Sequence, residues 1–188
     1  MSKIKWLLAV MGGAAMVSAV SVQAVAASTS VVSGRAAAAS ASPEPATIFR
    51  FDTMAPVTGP YVGAASPIRG VPGGGLPWMI KSGRVSLNRD GDLRVRVRGL
   101  VLADQPPVPP ALRGVNPIAD FQAIVSCQSI GAGDTATITN VSTAGFPASR
   151  TGNSDIEATV KLPQPCIAPV VFVTSTGAGA SWFAATGG

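Results

Sequence analysis

Between Gly83 and Leu102 the chain carries two runs of alternating side chains that meet across three residues. Val85 and Leu87 alternate with Arg84, Ser86 and Asn88, and Leu93, Val95 and Val97 alternate with Asp92, Arg94, Arg96 and Arg98. A period of two belongs to a strand, where successive side chains point to opposite faces. Placing both apolar sets on one face sets Leu87 opposite Leu93 and Val85 opposite Val95, which leaves Arg89-Asp90-Gly91 as the loop. Three-residue hairpins commonly end in a left-handed residue, and Gly91 stands there. Pattern and turn chemistry agree, so this stretch is read as an antiparallel hairpin, which commits its surroundings to a sheet.

The flanking sequence repeats the theme. Thr47–Asp52 reads as a first strand, with Ile48 and Arg50 across the pleat from Phe49 and Phe51. Residues 53–76, with the glycine cluster at 70–75, read as loop, and Pro77–Ile80 as a short strand. A proline-rich crossing over 103–119 follows, and then Asp120–Cys127 alternates, with Phe121, Ala123 and Val125 on one side. Thr135–Val141 and Asp155–Leu162 also alternate, whereas Pro169–Thr174 is a continuous apolar run of the kind a central strand buries on both faces. Ser181–Thr186 closes the chain. No segment shows a helical period. About seven to nine short strands with turn signals between them predict a single antiparallel β-sandwich, Ig-like or jelly-roll-like, in preference to a barrel. The folded domain is placed at 47–188.

Residues 1–27 read as a secretory signal peptide. Lys3 and Lys5 precede a mostly apolar stretch, and Ala24-Val25-Ala26 is a small-x-small cleavage site. The apolar run contains Gly12-Gly13 and falls short of the roughly 20 continuous apolar residues of a spanning helix, so no membrane span is expected after cleavage. Residues 28–46, rich in Ala and Ser and containing Pro43 and Pro45, read as a flexible linker. The expected location is outside the cytoplasm.

Loss of the signal leaves twelve basic and nine acidic side chains, a net charge of +3 where the whole chain has +5. That mild excess does not argue for nucleic acid, which requires clustered charge on a strongly basic domain. In an oxidising compartment the even pair Cys127 and Cys166 reads as one disulfide, the alternatives being two free thiols or an intermolecular bridge.

The absence of histidine removes Ser-His-Asp and Cys-His catalysis and imidazole zinc sites, and two cysteines cannot build a four-thiolate cluster. Asp120, Asp134, Asp155 and Glu157 are the acids open to a glycosidase-like pair, but no spacing singles one out. Asn88–Asp92 has the start of a calcium loop without its later ligands, and turn chemistry explains it better. The glycine cluster at 70–75 lacks the Lys-Ser/Thr of a phosphate loop, and Pro106–Pro110 reads as a stiff connector. Asn140-Val141-Ser142 matches the glycosylation triplet without deciding anything. Trp78, Trp182 and Phe183 read as core. No metal and no cofactor is expected.

The most distinctive polar feature is Arg94, Arg96 and Arg98 on one strand face, with Arg84 opposite Arg96 in the hairpin register. Like charges opposed across a ladder destabilise it. Either a bound anion, such as a phosphate, sulfate or acidic polysaccharide, compensates them, or the ladder is structural, a solvated face or one met by an acidic neighbour such as Asp155 or Glu157. Arg84, Arg94, Arg96 and Arg98 are therefore the candidate anion-binding residues.

The set Gly75-Leu76-Pro77-Trp78, Arg98-Gly99-Leu100-Val101, Asn116-Pro117, Leu162-Pro163 with Cys166, and Trp182-Phe183-Ala184-Ala185-Thr186-Gly187 resembles a group of uncharacterised secreted bacterial proteins. The resemblance covers most of the mature chain and implies export; it transfers no activity. The reading reached is an exported, non-catalytic envelope or extracellular module with an anionic polymer or glycan as partner. A carbohydrate-directed hydrolase using acidic residues is the alternative.

Overall fold

The computed structural model describes residues 46–187, so the expected signal peptide and all but the last residue of the expected linker lie outside the described residues. Twelve strands follow in order: β1 (Thr47–Phe51), β2 (Ala55–Pro56), β3 (Trp78–Met79), β4 (Ser82–Asn88), β5 (Asp92–Arg98), β6 (Val101–Leu102), β7 (Asp120–Ile130), β8 (Ala136–Ser142), β9 (Phe146–Pro147), β10 (Ser154–Thr159), β11 (Ile167–Thr174) and β12 (Trp182–Ala185). The only helical pieces among the described residues are three single turns of 3-10 helix.

Two antiparallel sheets stack as a sandwich. One has four strands in the order β1-β4-β5-β10; the other has six, β2-β12-β11-β7-β8 with β9 also on β7. A separate two-stranded ladder joins β3 to β6. Eight strands have four residues or more. The other four, β2, β3, β6 and β9, are two-residue pairings, too short to carry any period.

The hairpin forms as the alternation requires. Leu87 pairs with Leu93, Val85 with Val95 and Arg84 with Arg96. Gly91 has φ +90, and a Cβ there would collide with the Val160 carbonyl. The Val160 amide donates to the Gly91 carbonyl at 2.9 Å, so the turn is also the seat of the chain leaving β10. Asn88 closes the loop from within, its side-chain oxygen accepting from the amides of Asp90 at 3.0 Å and Asp92 at 2.8 Å. Those bonds engage the oxygen that a cation would need, which accounts for the partial likeness to a calcium loop.

Between the sheets lies one apolar core. Val85, Leu87, Leu93, Val95, Val97 and Ile156 enter it from the four-stranded sheet, and Phe121, Ala123, Val125, Val171 and Val173 from the other. Each fully buried aliphatic side chain contributes about 1.5–3 kcal/mol. Trp78 stacks on Phe183 at 4.2 Å between centroids, and Phe121 lies 5.8 Å from Phe183. Trp182 is buried in a second neighbourhood, 6.1 Å from Phe172 and 6.3 Å from Tyr61.

β7 departs from the alternation read in its sequence. It runs on to Ile130, and every side chain from Phe121 to Cys127 is buried. The segment 57–76, part of the stretch expected to be plain loop, contributes to this by crossing the outer side of the six-stranded sheet at Ser126 and Asn140. A tight turn at Arg69-Gly70, both with positive φ, closes the Ile68–Val71 bridge. From that turn Arg69 donates to the Ser126 carbonyl at 2.9 Å, and the Asn140 side-chain amide donates to the Arg69 carbonyl at 3.0 Å. The β7–β11 register shifts beside Ser126, between Ile167 and Val170, so the arginine caps an interrupted ladder. β11 is buried only over Val171–Thr174, not along the whole run.

Cys127, fully buried on β7, is bonded to Cys166, just before β11, with 4.9 Å between Cα atoms. Intramolecular pairing is thus the outcome among the alternatives left open by cysteine parity. The crossing over 103–119 is pinned by buried Asn116, whose side chain donates to the carbonyls of Ile118 and Ser149 and accepts from the Ile118 amide.

Candidate functional site

The outer face of the four-stranded sheet gathers the arginines. The registers align Arg50, Ser86, Arg94 and Glu157 as one cross-strand row over β1, β4, β5 and β10. A second row runs Arg84, Arg96, Asp155. Two open depressions of about 580 and 440 Å³ meet on this face, and the residues lining both are Arg50, Ser86, Arg94 and Glu157.

The opposed pair Arg84 and Arg96 is answered by acids. Asp155 accepts from Arg96 at 2.9 Å and from Arg98 at 2.8 and 2.9 Å, a two-pronged contact on the second guanidinium. Arg98 also donates to the carbonyls of Val97 and Ser154. Arg84, with its side chain 71% exposed, lies 3.7 Å from Asp52. Arg84, Arg94 and Arg96 line the depressions, whereas Arg98 does not: its fork is turned to the β5–β10 junction. Glu157, the other acid expected to answer the ladder, stands opposite Arg94 without coming within 4.0 Å of any arginine among the described residues.

Arg50 was not among the expected site residues, yet it stands two strands from Arg94 with Ser86 between them. Adjacent strands lie about 4.8 Å apart, so two long guanidinium side chains easily flank a group seated over Ser86. The signal that places it was present: Arg50 and Asp52 alternate with Phe49 and Phe51, whose half-buried rings face inward. What the sequence lacks is the pairing of β1 with β4, which carries a register shift between Thr47 and Phe49.

Phe51, its ring turned inward, is the one aromatic residue among those lining the depressions, and Trp78, Trp182, Phe121, Phe172 and Phe183 are all buried. Among the described residues no group of three or more His, Cys, Asp or Glu side chains is placed to hold a metal ion.

Two carboxyls ionise below the ordinary 3.8. The hydrogen bond from Arg98 is the largest cause for Asp155, and the bonds from Asn88 and then Thr159 for Asp92. A depressed folded-state pKa stabilises the fold above the unfolded value and loses that contribution as pH falls through the folded one. With no histidine in the chain, no side chain titrates ordinarily between pH 5 and 8. The expected melting temperature is therefore flat over that range and falls below about pH 4. Thermal melts followed by circular dichroism check this, with Asp155→Asn showing the shallower acid limb.

No protein-family model, curated protein or solved structure matches the chain. The described residues form an all-β, disulfide-bonded sandwich.

Proposed function

We propose that this is an exported, non-catalytic binding module that holds an anionic polymer, such as an acidic polysaccharide, on the outer face of its four-stranded sheet. The observation that carries the reading is the row Arg50-Ser86-Arg94, where two guanidinium groups flank a hydroxyl; Glu157 ends the row opposite Arg94, but among the described residues no carboxylate comes within ion-pairing distance of Arg50 or Arg94. Arg84 and Arg96, each beside an acid (Asp52 at 3.7 Å and Asp155 at 2.9 Å), border the row, and Arg98 is taken up by Asp155 outside it. The scarcity of aromatic surface in the depressions favours an anionic glycan over a neutral one, because neutral sugars are commonly held by stacking on exposed rings. Support for export comes from the intramolecular disulfide, from the leader-like 1–27 and from the resemblance to secreted bacterial proteins. Among the described residues no helix is long and apolar enough to cross a membrane.

The hydrolase alternative fares worse. A general acid needs a raised pKa at neutral pH, and Asp155 is shifted the other way by Arg98. Asp155 and Glu157 also sit on an open sheet face, with no cleft to exclude water.

Retention on an immobilised sulfated or uronic-acid polysaccharide tests the reading. The expected result is saturable binding that weakens with salt, because exposed charges are screened within about 10 Å at 0.1 M. Arg50→Ala with Arg94→Ala should reduce affinity roughly tenfold, given up to about 1 kcal/mol for each exposed charge contact. Asp155→Asn should strengthen binding by releasing Arg96, which lines the depression. Retention indifferent to these changes, or release of sugar from a neutral polysaccharide, overturns the reading.

A further inference from the structure

Four strands end the two main sheets, and three of them are guarded. β1 carries an irregular register and the charged Arg50. β10 is met by β9, with the Ser154 hydroxyl donating to the Pro147 carbonyl at 2.9 Å. β2 contains Pro56, and the adjacent Val57 amide donates to Phe183 while Gly73 bridges Trp182. The fourth, β8, has none of these devices; the Asn140 side-chain amide donates to the Arg69 carbonyl across the sheet face, which leaves the backbone edge open. Its sequence Ala136–Ser142 contains no charge and no proline. It pairs with β7 over seven consecutive residues without a register shift, and among the described residues no other strand ladders onto it. An edge of this kind is a template for a further strand.

Three exposed isoleucines lie at this end of the sheet. Ile138 on β8 and Ile167 on β11 flank Gln128 in one cross-strand row, and they are 42% and 50% exposed. Ile130, at the end of β7, is 54% exposed. We propose that β8 pairs antiparallel with β8 of a second copy of this chain, about a twofold axis near Thr139. Self-pairing sets each side chain opposite one from the same strand, so any charge would meet its own sign or a neighbour's. A charge-free strand meets that demand. Centred on Thr139, the pairing puts threonine against threonine, Ile138 against Asn140 and Ala136 against Ser142. A strongly charged partner strand would find no counter-charge on this edge. The contact lies on the opposite sheet from the arginine row and is independent of it.

Sedimentation velocity on the full, disulfide-bonded chain over a wide concentration range tests the proposal, paired with hydrogen exchange at low and high concentration. A reversible dimer is expected, with slower exchange on β8 at high concentration. Ile138→Lys should raise the dimer dissociation constant at least tenfold while leaving the melting temperature of the dilute protein unchanged, since the side chain is half exposed. Ala136→Lys is the second variant, with the same expectation. A monomer at every concentration overturns the proposal. So does a dimer that neither protects β8 nor responds to the lysines, or a β8 that is protected only when a different protein is added.

Discussion

Replacing Cys127 and Cys166 by alanine, or reducing the bond between them, is expected to lower the unfolding free energy by about 3–4 kcal/mol. The two cysteines are 39 residues apart in sequence, and closing a loop of that length removes much of the freedom of the unfolded chain. The native contacts around the bond point the same way. Cys127 is wholly buried on β7, and the bridge sits next to the Gln128–Ile167 pair, where the β7–β11 register is about to shift. Without the bond, the start of β11 is held by that single pair before the ladder resumes at Val170. For a domain of this size the loss should move the melting temperature by roughly 10–15 °C. Urea unfolding of the oxidised and double-alanine forms gives the free energy directly, and a difference below about 1 kcal/mol would mean that the bond adds little to packing already complete.

The second large effect is expected at Phe121. Its ring is fully buried, 6.4 Å from Trp78 and 5.8 Å from Phe183, where the aromatic layer joins β3, β7 and β12. Phe121→Ala removes most of a buried ring and leaves a cavity among rigid neighbours, for about 3–5 kcal/mol. The two indole and phenyl neighbours have few alternative rotamers with which to fill that space, so the upper half of the range is expected. Urea denaturation again reads the value. A loss under about 1.5 kcal/mol would show that this aromatic layer collapses freely and is not the centre of the core.

The hairpin was legible because two independent constraints, apolar alternation and a glycine at the left-handed turn position, select the same register. The sandwich followed from the repetition of such segments. Less legible were interactions between strands distant in sequence. Nothing local says that 57–76 should cover β7, so Gln122 and Ser126 look like exposed positions of an alternating strand when both are buried. The signal that decides the matter is Arg69 reaching the Ser126 carbonyl, a contact across 57 residues. The arginine ladder shows the same division. Arg84 facing Arg96 could be read from the hairpin; that Asp155 would take up Arg96 and Arg98 while Glu157, opposite Arg94, stayed beyond ion-pairing distance could not, because it depends on how β10 docks. Arg50 entered the site for a like reason, through the β1–β4 pairing.

An anionic polymer held on the outer sheet face should perturb the backbone there and nowhere else. Recording backbone amide shifts of the labelled protein during titration with a sulfated polysaccharide measures this residue by residue. The predicted result is a set of saturable shifts at Arg50, Ser86, Arg94 and Arg96 that reverse on adding salt, with β7 and β11 unmoved. Shifts centred on the six-stranded sheet, or none at all at saturating polymer, would contradict it.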